Sequence, residues 1–266
     1  MSSGADQHPA LTYAGYLALD ELLAAQRPRT EEHDEMLFIV IHQVYELWFK
    51  QLLHEGRHAQ ECLEGRRASN AMDTIKRMVT VMKTVVAQID VLETMTPRQF
   101  NAFRTRLEQA SGFESAQFRE LEALLGRRDE SVLAHYPDGS VSRARIAEAM
   151  ARPSLYDSFL TYLSGEGYAL PADVLGRDVA RPAEPSPAVQ DTLLAVYRDD
   201  ATAAQMCERL VDLDEGVMEW RYRHVQMVRR TIGSKPGTGG SSGVEYLVST
   251  LMHPAFADLW AVRARL

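Results

Sequence analysis

An all-α fold is predicted for this chain by three observations. Its apolar residues recur at three-to-four-residue spacing, period-two alternation is absent, and the periodic segments stop at proline- or glycine-bearing breaks. The first segment, about Thr12 to Gln26 (TYAGYLALDELLAAQ), reads as one helix ahead of Pro28. The second runs from His33 to Leu63, and a step of about 100° per residue sets Phe38, His42, Tyr45, Phe49 and Leu52 on one face. From Met72 to Thr94 the residues Met72, Ile75, Val79, Met82, Val86, Ile89 and Leu92 form the spine of a packed helix. Thr96-Pro97 then starts a helix that reaches Leu107, because proline suits a first helical position. Shorter helices follow at Glu114 to Leu125, Val141 to Ala151, Leu155 to Gly165 and Ala188 to Arg198, punctuated by Tyr136-Pro137-Asp138-Gly139 and Pro153. Between them, Gly176 to Pro187 is too rich in proline for regular structure and is expected to be a surface connection. The last long helix, Ala201 to Ile232, gathers Val217, Trp220, His224, Met227 and Val228 on one face before a glycine-rich stretch from Gly233 to Gly243.

Composition bounds what such a bundle can do. With 266 residues, 45% of them hydrophobic and 25% charged, the chain can bury a sizeable core in one domain. A net charge of −8 and a pI near 5.5 supply no basic field for phosphate backbones, so nucleic acid is not an expected partner. Cys62 and Cys207 stand alone, outside any C-x-x-C pattern, which speaks against a disulfide framework or a cysteine metal site and for a reducing cytoplasm. The polar N-terminus and the lack of about 18 consecutive uncharged apolar residues predict neither export nor membrane insertion.

Three features could carry chemistry. His42 and His224 each sit in an apolar stripe, where an imidazole must find a hydrogen-bond partner, a charge or a metal; each is a satisfied core histidine or a pocket residue. His54-Glu55-Gly56-Arg57-His58 matches the zinc pattern H-E-x-x-H, but the two histidines fall on the polar side of their helix and no third ligand follows. The run Gly237-Thr238-Gly239-Gly240-Ser241-Ser242-Gly243 lacks the ending of a P-loop and follows a helix rather than a strand, so it is a helix-capping loop or a loop that approaches a ligand closely.

Four stretches, in order, resemble the tryptophan 2,3-dioxygenase family. They are Leu11 to Leu17, His33 to Lys50 (HDEMLFIVIHQVYELWFK), Glu93-Thr-Met-Thr-Pro97 through Phe103-Arg104 to Ala110-Ser111-Gly112-Phe113, and Trp220-Arg-Tyr-Arg-His224 through Lys235 to Gly243. The resemblance implies a single all-α domain over residues 1–266, a helical bundle that binds haem b, active as Fe(II), and assembles as a homotetramer. In it, residues 1–30 contact a neighbouring subunit and about 127–200 form a variable helical insertion. The implied reaction opens the indole C2–C3 bond of L-tryptophan with O2 to give N-formylkynurenine, the first step of tryptophan catabolism by the kynurenine pathway. A related haem enzyme that oxygenates a modified tryptophan or indole, for example by mono-oxygenation to an oxindole, is the alternative.

The same resemblance assigns roles to residues. His224 becomes the axial ligand of the haem iron and His42 the distal group that takes the indole N–H. Phe38, Ile39, Val40, Ile41, His42, Phe100 and Leu107 line the substrate, and Arg104 clamps its carboxylate. Thr238 and Ser111 lie near its polar end, while Tyr13, Tyr16 and Leu17 reach in from a neighbouring subunit. Two departures from the family pattern, Glu114 in place of glutamine and Glu108-Gln109 in place of a proline-bearing pair, sit beside Ser111.

Overall fold

The structure is a computed structural model that describes residues 11–107, 115–233, 235 and 244–266. Among these no strand occurs, and no helix is long and apolar enough to cross a membrane. Three long helices make the frame: α3 (His33–Glu64), α4 (Ala68–Leu92) and α11 (Ala201–Ile232). α4 packs against both of the others, so it separates the two helices that carry His42 and His224 along much of their length. Ile75, Met78, Met82, Val85 and Ile89 of α4 meet Leu52 and Leu63 of α3 and Met206, Leu210 and Val217 of α11, all with little or no exposed surface. Burying such side chains is worth about 1.5–3 kcal/mol each, which is why the apolar stripe and not helix propensity fixes these helices.

Local chemistry sets the ends. Glu35 accepts from the backbone N–H groups of Arg29 and Thr30 and from the Thr30 hydroxyl, tying the approach to α3 to its first turn. α5 (Pro97–Arg104) opens with a capping box between Thr96 and Gln99 and with Pro97 as its first residue, as its sequence predicts. α6 (Ala116–Leu124) and α8 (Leu155–Gly165) are capped by Ser115 and Ser154, and both rest on α3. α7 (Val141–Met150) lies on α6, where Ile146 and Met150 join Ala123, Val132 and Tyr136 in a small separate apolar cluster.

The N-terminal helix and two short elements differ from the sequence reading, each for a physical cause. The expected helix from Thr12 to Gln26 is two short ones, α1 (Tyr13–Tyr16) and α2 (Leu19–Leu23), because Ala18 adopts a left-handed conformation at φ 48°. A 3-10 turn at Glu130–His135 and α9 (Ala172–Leu175) were not anticipated, being too short to show a period. The proline-rich stretch has no helix or strand from 176 to 186, as expected, yet Arg177 pins it by pairing with Asp157 at 2.7 Å. α10 (Pro187–Asp199) starts with proline at its first position.

The C-terminal region was also unread. α12 (Val244–Ser249) and α13 (Ala257–Ala261) follow α11, and two buried aspartates dock the last of them. Asp214 accepts from the Ala255 and Phe256 amides and the Trp260 indole, while Asp258 accepts from Tyr156, Ser186 and Gln190. Each carboxylate takes several donors at once, which is how a charge tolerates burial.

Candidate active site

The ends of α3, α5 and α11 meet around aromatic rings that lead from one histidine to the other. Phe38 lies 4.1 Å from His42, 5.8 Å from Phe100 and 5.6 Å from Phe103, between ring centroids. His42 is followed by Tyr45 at 6.5 Å and Phe49 a further 6.2 Å on, and Phe49 meets Trp220 edge-on at 6.0 Å. Trp220 stacks on His224 at 5.1 Å. The 3.6-residue period causes this arrangement: every member of the series on α3 or α11 sits on the stripe that its helix turns toward the others.

His42 is held in one tautomer. Its Nδ1 lies 2.7 Å from the Phe38 carbonyl oxygen, which can only accept, so Nδ1 carries the proton and Nε2 keeps its lone pair. Burial lowers its pKa, against the smaller opposing pulls of that carbonyl and of Glu46. His224 is lowered to about 4 by burial, with His42 and Arg119 adding to the effect. Both imidazoles are therefore neutral at pH 7, and each lies within electrostatic reach of the other. Both residues are half-buried and burial dominates their titration; the histidine recess is this meeting of helix ends.

The donor set of this recess suits a haem. A neutral imidazole is the form that binds iron, and His224 has no hydrogen-bond partner among the described residues. Its surroundings are aromatic, and the buried Trp220 indole N–H beside it also lacks an acceptor among the described residues. On α5, Phe100 and Arg104 are one turn apart and thus share a face, with Leu107 just beyond; all three are half-buried. The fully buried Phe103 packs on Phe38 and is absent from the site residues expected from the sequence.

Other expected site residues lie elsewhere. Ile39 is half-buried and Ile41 faces the core, but Val40 is 39% exposed and turned about 200° from His42, so the structure does not bring it to the recess. Tyr13, Tyr16 and Leu17 are exposed, Tyr13 to 76%. Ser111 and Thr238, with the rest of the 108–114 and 236–243 stretches, lie outside the described residues. The zinc pattern does not assemble: His54 and His58 are exposed, and the Glu55 carboxylate accepts two bonds from Arg77 at 2.9 Å and one from Gln51. Among the described residues no three His, Cys, Asp or Glu side chains cluster in a way that could hold a metal ion.

Behind His224 stands a charge cluster that sequence alone did not single out. Glu122 of α6 accepts from Arg119 at 2.6 Å and from Arg221 of α11 at 2.8 Å, with Arg127 3.9 Å away. Arg221 lies three residues before His224, so the cluster fixes the height of α11 against α6. Phe118, the neighbour of Arg119, packs on Trp220 at 4.6 Å and completes the wall behind His224.

Comparison with known proteins agrees with this geometry. A family model described as tryptophan 2,3-dioxygenase matches residues 3–162 and 184–266. A tryptophan 2,3-dioxygenase from Anaeromyxobacter sp. (strain K) is 65% identical over 97% of each chain. The enzyme of that name from Herpetosiphon aurantiacus is 56% identical over 97% of this chain and 99% of its own, and that from Caulobacter vibrioides 44% over 96% and 98%. With two neutral histidines joined by an aromatic wall and likeness running along nearly its whole length, the chain belongs to the tryptophan 2,3-dioxygenase family.

Proposed function

We propose that the chain is a haem-dependent dioxygenase that opens the indole C2–C3 bond of L-tryptophan with O2, yielding N-formylkynurenine at the head of tryptophan catabolism. The observation that carries this reading is the pair of neutral imidazoles at opposite ends of one aromatic series, His42 with its Nε2 lone pair free by tautomer and His224 without a hydrogen-bond partner among the described residues. His224 would hold the haem iron, and haem b as Fe(II) would supply the activation of O2 that no side chain can provide.

The remaining work belongs to the protein. His42 accepts the indole N–H at Nε2, which orients the ring without demanding full proton transfer. Phe38, Phe100 and Leu107 flank the indole with apolar surface and exclude water from it. Arg104 forms two parallel bonds to the substrate carboxylate, a fork that lysine cannot reproduce. Ser111 and Thr238 contact the amino-acid end. Together these contacts fix a zwitterionic tail and a neutral ring in one pose, an effect worth several kcal/mol when reacting atoms are held near contact.

The assembly is read as a homotetramer in which Tyr13, Tyr16 and Leu17 of one subunit close the pocket of the next; the clustering of exposed Leu11, Tyr13, Tyr16 and Leu17 in one short segment supports this, since a contiguous apolar patch marks an interface. The chain is read as one domain, with about 127–200 as its variable part, and as cytoplasmic, a placement that two free, buried thiols favour.

The test is turnover. Reduced, haem-loaded protein given L-tryptophan in air should show a Soret band and accumulate a product two oxygen atoms heavier than its substrate, absorbing as N-formylkynurenine. A Soret band without product, or a product carrying one added oxygen, would overturn the reading in favour of a modified-indole oxygenase.

A further inference from the structure

A cleft of about 210 Å³ opens between α3, α6, α7 and the Arg152-Pro153 turn, on a different set of residues from the histidine recess. Its polar lining is three arginines, Arg57, Arg145 and Arg152, with Glu120, Glu148 and Gln60. Three cations against two carboxylates leave the cleft positive in a chain whose net charge is −8. Each guanidinium has a carboxylate near it and donors to spare, since it carries five N–H groups. Arg145 Nη2 lies 2.8 Å from Glu120 Oε1, an ion pair whose alignment falls short of a hydrogen bond, so that buried oxygen has no directional donor. Arg57 is 3.7 Å from Glu120, and Arg152 is 3.9 Å from the exposed Glu148. Neither the Arg57 nor the Arg152 guanidinium donates a hydrogen bond to a described residue.

The fold holds these groups in place from behind. Glu120 is only 3% exposed and anchors Arg57 from α3 and Arg145 from α7 on a single carboxylate. Gln60 donates to the Pro153 carbonyl at 2.9 Å, which fixes the turn that carries Arg152 relative to α3. Leu53 and Leu124 form an apolar floor, so the bottom of the cleft offers no competing acceptor. Arg57 belongs to the H-E-x-x-H stretch, whose exposed histidines take no part; what that stretch contributes is a guanidinium.

We infer that this cleft is a binding site for a small oxyanion, with Arg57 and Arg152 supplying the donors and Arg145 held by Glu120 at its back. Guanidinium forks match the planar and tetrahedral oxygen arrangements of carboxylates and phosphates alike. A cation is disfavoured by three facing arginines, and a neutral apolar ligand by the charged rim. The site does not depend on the proposed reaction.

Calorimetric titration of the full chain, as purified with its cofactor, with inorganic phosphate and separately with malonate at constant ionic strength tests this. Saturable binding is expected for at least one of the two, and the tighter one identifies the oxyanion class. Arg57→Gln and Arg152→Gln should each weaken it by about tenfold, the loss of one charge-assisted bond. Arg209→Gln, a surface arginine of α11 paired with Asp212, should leave it unchanged. Both cleft side chains are at least half-exposed, so the variants should keep the helical circular dichroism of the parent. Absence of saturable binding to either anion, or binding indifferent to both cleft variants, overturns the inference.

Discussion

The rings of Trp220 and His224, one turn apart on α11, lie 3° from parallel with their centroids 5.1 Å apart. Trp220 is itself fixed by Phe118 on one side and by Phe49 at its edge. A stacked neighbour removes much of the imidazole's freedom about its side-chain torsions, so His224 is oriented before any ligand arrives. His224→Ala should therefore abolish haem retention with the helical circular dichroism intact, read as the Soret absorbance per mole of purified protein. Trp220→Leu should retain haem but release it faster to apomyoglobin. Full haem occupancy in the His224 variant would refute the ligand assignment.

His42 carries a pH dependence whose sign follows from its environment. Burial lowers its pKa below the usual histidine value near 6.5, so the neutral, acceptor form persists at pH 7 and is lost only as pH falls through the depressed value. Protonation fills Nε2 and ends its capacity to accept the indole N–H. The acid limb of kcat/KM should thus lie below pH 6.5, and His42→Ala should lower kcat/KM by about tenfold or more while flattening that limb. A profile measured from about pH 5 to 8 decides it. An acid limb that survives unchanged in the variant would assign it to another group.

Arg104 should divide its effect unevenly between binding and turnover. A charge-assisted bidentate bond is worth about 1.5–3 kcal/mol, so Arg104→Ala should raise KM by roughly ten- to a hundredfold. kcat should fall much less, because the carboxylate is bound in ground and transition states alike. Arg104→Lys should recover only part of the loss, since an ammonium is a point charge and not a fork. Steady-state kinetics on both variants checks this, and a kcat collapse with unchanged KM would contradict the clamp.

Glu122 is a stability element before it is anything else. Burial alone would raise its pKa, but Arg119, Arg221 and Arg127 overturn that and hold it below the usual carboxylate range. Its contribution is present above the unfolded-state value near 4.5 and is lost as pH falls through the lower folded value. Glu122→Gln leaves buried guanidiniums without their counter-ion, which typically costs about 3–5 kcal/mol. Thermal unfolding should move down by on the order of 10 °C for a chain of this size. A shift of only a degree or two would mean that water or a ligand already satisfies the arginines.

What could be read from the sequence follows from the period of a helix. Phe38, His42, Tyr45 and Phe49, and likewise Val217, Trp220 and His224, declare their faces because burial repeats every three to four residues over 32-residue helices. The break at Ala18 does not, since alanine carries no turn signal and its left-handed backbone is imposed by context. Val40 enters the expected site through the family resemblance, but a 200° turn from His42 carries it to solvent. Glu122 and Arg221 read as surface charges until α6 and α11 are brought together, and the arginine cleft has the same origin. α13 depends on Asp214 and on the donors that meet its own Asp258, Tyr156, Ser186 and Gln190, all tens of residues away and revealed by no local pattern.

Gly56 offers the sharpest test of packing, because two rules disagree about it. In an open helix interior, alanine is better than glycine by about 1 kcal/mol, so Gly56→Ala should stabilise α3 if its surroundings were solvent. Gly56 is buried, however, and a Cβ there would overlap Leu124 Cδ2 of α6 while pressing Leu124 Cγ at 3.3 Å and Met78 Cε at 3.4 Å. Overpacking of that kind costs about 1–3 kcal/mol, which exceeds the propensity gain. Gly56→Ala should therefore lower the urea midpoint without changing the slope. Leu124→Ala should also destabilise, by leaving a cavity, yet the double variant should be less destabilised than the sum, because the added methyl enters the space vacated by Leu124. A coupling on the order of 1 kcal/mol is expected; strict additivity would show that α3 and α6 do not meet at Gly56 in solution.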